Sequence, residues 1–175
     1  MATDISKLKS MAEDTVVHKK IVLDNCLLMA EYLMEKGKYE LATQLLVRGS
    51  EHDNSKFDKD EFRKMSMILK NESKRSFTNA STQLSPEEEK AIRYHWSHNR
   101  HHPEFFDNPS DEMTELDVLE MVCDWFARSI QFNTEFIPFI IERQENRFHF
   151  TDKAFSKILK YCKLIEELYK ESNQE

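Results

Sequence analysis

Thr114-Glu-Leu-Asp-Val-Leu-Glu-Met-Val-Cys-Asp-Trp-Phe-Ala-Arg128 is the stretch that decides the fold. A threonine followed three residues later by an acidic side chain predicts a capped helix start at Thr114. At 100° per residue, Leu116, Leu119, Val122, Cys123, Trp125, Phe126 and Ile130 then cover most directions around the helix axis. A helix that is apolar on nearly every side is buried among other helices. Yet Asp117, Glu120, Asp124 and Arg128 fall within about 80° of one another on the same cylinder. Carboxylates in such a place cost on the order of several kcal/mol each unless a cation or strong donors compensate. Two compensations are open: an internal ion pair of Glu120 or Asp124 with Arg128, or a bound metal ion.

Working outward, the rest of the chain reads as further helices. Only two glycines and four prolines, against 33% charged residues, leave few tight turns and favour long solvated helices. The class is all-α, a helical bundle of about six helices. A chain of 175 residues with 39% hydrophobic content is expected to form a single domain over 1–175. Two isolated glycines exclude a Walker loop and a dinucleotide-binding turn. A first helix is predicted over 4–36, with Val22, Met29 and Leu33 at helical spacing, His18 on the same stripe and Gly37 as the stop. A second runs over 39–49, and its inward stripe of Ala42, Leu45, Leu46 and Gly49 continues to His52 and Asp53.

A third helix over 58–70 gives way to a polar stretch, 71–85, expected to be a flexible loop. Ser85-Pro86-Glu87-Glu88 has a serine cap, proline at the first helical position and glutamate three after the cap, so a fourth helix starts there. It carries Ala91, His95 and His98. Pro103 disfavours helical geometry at His102, so this helix frays before His101 and an irregular turn can present His101 and His102 together. Thr151-Asp152 starts a last helix through Leu168, and the aromatic, proline-interrupted piece 136–148 reads as packing.

His18, the pair His52-Asp53, His95, His101, His102 and Asp124 suit one metal site, because imidazole nitrogen and carboxylate oxygen are what borderline divalent metals accept. No Cys-x-x-Cys pair is present, so iron, manganese, cobalt or nickel at higher coordination number suits the set better than a structural zinc knot. His98 and His149 are bystanders. A formal charge of −7 argues against wrapping nucleic acid and leaves a small anionic substrate open. The positive run from Lys59 to Arg75 reads as a solvated face. Cys26, Cys123 and Cys162 lie in apolar stretches and are expected to be buried free thiols of a reducing cytoplasm. The first residues hold no apolar signal region, and the apolar run 136–141 is too short for a bilayer.

The order His18, His52-Asp53, Asp124 on an all-helical background resembles the HD-domain superfamily, whose members are mostly metal-dependent phosphohydrolases. His95, His101 and His102 resemble the extra ligands of its two-metal branches, and Lys56, three after Asp53, matches the lysine of the HD-x-G-K motif. The Gly-Tyr-Pro segment of the HD-GYP branch is absent. A closer likeness is to a small uncharacterised HD-like family sharing HD-x-S-K, N-R-H-H-P-E and the segment from Leu116 to Trp125. The resemblance implies one or two divalent ions, with His18, His52 and Asp124 holding one, His95, His101 and His102 a second, and Asp53 bridging. It implies hydrolysis of a nucleotide or related small phosphate ester by a metal-activated water. Lys56 and Arg128 would contact the phosphate, and Glu120 and Asn99 would orient ligands, with proton acceptance a second role for Glu120. Two other functions fit the same ligands: a di-iron oxygenase of a small molecule, and a metal- or nucleotide-binding module without turnover.

Overall fold

Gly37 adopts φ 73°, a left-handed conformation open to glycine at no cost, and there the chain reverses between two antiparallel helices. The computed structural model describes residues 5–65 and 85–173. In it α1 is Ile5–Glu35 and α2 is Tyr39–Glu51. Then come α3 (Lys59–Met65), α4 (Pro86–His98), the single turn α5 (Pro109–Glu112), α6 (Glu115–Phe132), α7 (Phe136–Arg143) and α8 (Asp152–Ser172). No strand occurs among the described residues, and the protein is an all-α bundle. The expected 71–85 loop lies, apart from Ser85, outside the described residues, as does the expected end of the third helix.

The starts of the later helices follow local chemistry. Ser85 and Glu88 form a reciprocal capping box, and so do Thr114 and Asp117. Thr151 accepts from the Ala154 amide. Among the described residues two helices appear that the sequence pattern did not announce, α5 and α7. Pro138 does not break α7 because it sits in the first turn, where a missing N–H deprives no carbonyl of a partner.

Helix α6 is the centre of the bundle: it packs against α1, α2, α7 and α8, and 12 of its 18 residues are buried. The ring of Phe126 meets Phe136 edge-on at 5.0 Å and Tyr169 at 5.3 Å, while Trp125 stacks on Phe148 at 4.4 Å. Cys26, Cys123 and Cys162 are free and buried. No described helix is long and apolar enough to cross a membrane.

The closest approach of α1 and α2 depends on Gly49. A Cβ there would lie 2.8 Å from Cys26 Sγ and 2.9 Å from its Cβ, closer than such atoms can sit. Gly49→Ala is therefore expected to destabilise, because overpacking costs about 1–3 kcal/mol and outweighs a helix-propensity gain of roughly 1 kcal/mol. Urea unfolding checks this; a midpoint equal to or above wild type would show that the two helices separate freely.

Candidate metal centre

His18 projects from α1 into the bundle and is fully buried. His52 and Asp53 arrive by a different route from the one their spacing suggests. They do not continue the inward stripe of α2: the helix ends at Glu51, His52 turns to ψ 133°, and Asp53 takes a left-handed conformation at φ 56°. This geometry costs most residues roughly 1–2 kcal/mol, and aspartate is among the few that tolerate it. The turn carries both side chains into the core and starts a short 3₁₀ segment, Asn54–Phe57, on which Lys56 comes back over Asp53. Lys56 is itself buried, and its Nζ donates to Asp53 Oδ2 at 2.5 Å.

The α4 helix ends at His98, and Asn99 departs in an extended conformation, so His101 and His102 stand on an irregular turn as their position before Pro103 requires. His95, on the last buried turn of α4, faces His102 with 3.0 Å between their Nε2 atoms. His98 is exposed and packs on Tyr94, and His149 is exposed as well. From α6, Asp124 reaches His18 Nε2 at 2.9 Å.

The seven side chains meet around Asp53. Its Oδ2 lies 3.6 Å from His52 Nε2 and 3.8 Å from His18 Nε2, while Oδ1 lies 3.3 Å from His95 Nε2 and 3.6 Å from His101 Nε2. Three groups each have ligand atoms within 4.8 Å of one another: His18, His52 and Asp124; His95, His101 and His102; and His52, Asp53 and His101. Each oxygen of one carboxylate thus faces a different imidazole set.

Behind the ring nitrogens stands a second layer that sequence reasoning found only in part. Glu120 Oε1 accepts from His52 Nδ1 at 3.0 Å and lies 3.4 Å from His101 Nδ1. Its other oxygen is taken by Arg48, so Glu120 faces away from the convergence point, as an orienting group does. Asn99 donates to the His95 carbonyl at 2.8 Å and accepts from Ser55. Glu61 accepts from His95 Nδ1 at 2.5 Å, and Gln131 accepts from His18 Nδ1 at 2.8 Å. Arg48, Glu61 and Gln131 carry no local signal; each looks like an ordinary polar residue of a solvated face. Arg128 lies at the margin, its Nε 4.0 Å from Asp124 Oδ1 and its NH1 donating to Gln131. An acceptor at Nδ1 holds the proton there and turns the Nε2 lone pair inward, the arrangement a metal-ligating histidine needs.

The electrostatics favour ligand states at most of these groups, with His52 the exception. Burial, with help from the Arg128 charge, lowers the pKa of His18 to about 3. Burial followed by the charge of His52 lowers His101, and burial followed by His101 and His95 holds His102 well below its usual range. Burial also opposes charge on His52, but Asp53, Asp124 and Glu120 together outweigh it and raise its pKa to about 10. Burial would raise Asp53 and Asp124, yet Lys56 and His52 for the first, and His18 and His52 for the second, keep both carboxyls well below the ordinary range. Metal binding requires neutral imidazoles and ionised carboxylates. His18, His101, His102, Asp53 and Asp124 are biased toward those states, while the carboxylates around His52 favour its protonated form, a proton that an ion must displace.

Four buried atoms at the convergence point, His18 Nε2, His52 Nε2, His101 Nε2 and Asp53 Oδ1, have no hydrogen-bond partner. An unsatisfied buried polar atom costs about 1–3 kcal/mol, and four aimed at one place are satisfied together by divalent cations. The donor set and these orphaned atoms fit one or two ions. Fold and site together define an all-helical protein with a candidate His/Asp metal centre. The chain belongs to a family of unknown function, DUF5662, whose model matches residues 7–168. No curated protein matches the chain, and no solved structure does.

Proposed function

We propose that this protein is a metal-dependent phosphohydrolase of the HD type, acting on a nucleotide or related small phosphate ester. The observation that carries this reading is Asp53, one carboxylate with an oxygen toward each imidazole set. His18, His52 and Asp124 would hold one ion, His95, His101 and His102 a second, with Asp53 shared. Bound divalent ions would acidify a water and stabilise charge on the phosphoryl oxygens.

The chain's own groups do the rest. Lys56, an ammonium already paired with Asp53, supplies positive charge beside the centre where an anionic ester would lie. Arg128, on the margin and partly exposed, offers a planar fork to phosphate oxygens. Glu120, Glu61 and Gln131 hold three imidazoles in register, so little reorganisation accompanies the reaction. The buried walls keep the ligand atoms away from bulk water, which strengthens each of these interactions.

The test begins with elemental analysis of protein purified without chelator, where up to two iron, manganese, cobalt or nickel ions per chain are expected. A panel of phosphorylated metabolites, nucleotides included, is then assayed for phosphate release in air and without oxygen. Release that survives oxygen removal supports the proposal. Turnover that needs oxygen and frees no phosphate would assign the di-iron oxygenase reading instead, and metal-free wild type would end both.

Chelation should also destabilise. An ion that binds only the folded state adds about 2.7 kcal/mol when its free concentration is 100 times Kd. EDTA is therefore expected to lower the melting temperature, and Mn²⁺ to restore it. A melting curve indifferent to both would mean that the cluster holds no ion.

A further inference from the structure

One buried carboxylate stands behind both halves of the candidate centre. Glu120 Oε1 accepts from His52 Nδ1 at 3.0 Å and lies 3.4 Å from His101 Nδ1. His52 stands with His18 and Asp124 in one three-ligand group and His101 with His95 and His102 in another, and the two rings meet across Asp53 in a third. The orientation of both rings thus depends on where a single oxygen sits.

That oxygen is fixed from α2. The Arg48 guanidinium grips Glu120 Oε2 from two nitrogens, Nε at 2.6 Å and NH2 at 2.5 Å. The same group reaches Asp117 Oδ1 at 3.2 Å, one turn earlier on α6. Both nitrogens meet the one oxygen, so Arg48 pins Oε2 while His52 Nδ1 holds Oε1, and with each oxygen tied the carboxylate plane is kept from turning. A lysine would replace the two N–H directions on Oε2 by one mobile ammonium. Arg100 shares Asp117 through two bonds of 3.1 and 3.0 Å and has no contact with Glu120.

We propose that Arg48 is a positioning residue for both ion sites: its guanidinium sets the Glu120 carboxylate, which sets the Nε2 atoms of His52 and His101, one in each half. The inference rests on the two-ion reading of the centre. It makes the two sites dependent on one remote side chain that touches neither ion.

The test is a Co²⁺ titration of the metal-free, full-length protein, followed by calorimetry and by the visible absorption of the bound ion. Wild type is expected to take up two ions. Arg48→Met should weaken both by about 10–100-fold and change the absorption bands, with Arg48→Lys in between. Arg100→Met, which also strips a partner from Asp117 but leaves Glu120 alone, should keep both affinities within about twofold of wild type. If Arg48→Met does not fold by circular dichroism, Arg48→Lys carries the comparison. Loss at one site only, unchanged affinities, or equal losses in the Arg48 and Arg100 variants would overturn the positioning role and leave the metal reading standing. Wild type that takes up no Co²⁺ would overturn both.

Discussion

Asp53→Asn is expected to lower phosphate release by on the order of 10³-fold, since removing the shared carboxylate withdraws several kcal/mol of charge stabilisation from the reacting centre. The substitution preserves volume, and asparagine tolerates the left-handed backbone at φ 56° as well as aspartate does, so neither packing nor strain accounts for the loss. It does leave the buried Lys56 ammonium without its partner, and breaking such a pair costs about 3–5 kcal/mol. A lower melting temperature should therefore accompany the lost activity. Asp53→Asn combined with Lys56→Met removes both charges and is expected to recover stability but not turnover. Activity of Asp53→Asn within tenfold of wild type would remove this carboxylate from the chemistry.

Glu120→Gln is the second large effect. The amide keeps the shape of the side chain but loses the charge that holds His52 Nδ1 and Arg48. One face of the new side chain is an NH₂ group, which cannot accept from an imidazole N–H. A ring that turns or changes tautomer no longer aims its Nε2 lone pair inward. Groups behind metal ligands typically carry 10–100-fold in affinity or rate, and a loss of about that size is expected in both the Mn²⁺ Kd and kcat/KM. Equal metal affinity in wild type and variant would show that the rings are held by packing alone.

Much of this site is legible along the chain because it is built from local rules. Capping boxes at Ser85 and Thr114 place α4 and α6, and Pro103 forces the turn that pairs His101 with His102. The alternation of apolar residues and carboxylates on α6 announces that Asp124 and Glu120 are buried with a purpose. The compensation for those charges was open on periodicity alone. In the structure Glu120 pairs with Arg48 and not Arg128, while Asp124 meets His18 and His52 and has Arg128 only at 4.0 Å.

Other features were illegible for a physical reason. His52 and Asp53 have the spacing of a continued helix, but burial comes from a left-handed turn that no periodic pattern encodes. Glu61 lies in the first turn of α3, a common place for an acid facing solvent, and nothing nearby in sequence says that His95 will sit against it. Arg48 and Gln131 are likewise separated from their partners by long stretches of chain.

The amino-acid order by itself determined the helical class, the helix starts at Ser85, Thr114 and Thr151, and which seven side chains have ligand chemistry. These depend on contacts between residues a few positions apart, where the backbone has few choices. Only the tertiary structure decided that one oxygen of Asp53 faces each imidazole set and that a single carboxylate, held by Arg48, stands behind both. Such arrangements depend on how α1, α2, α4 and α6 cross one another, and crossing geometry comes from packing that the linear pattern of apolar residues does not encode.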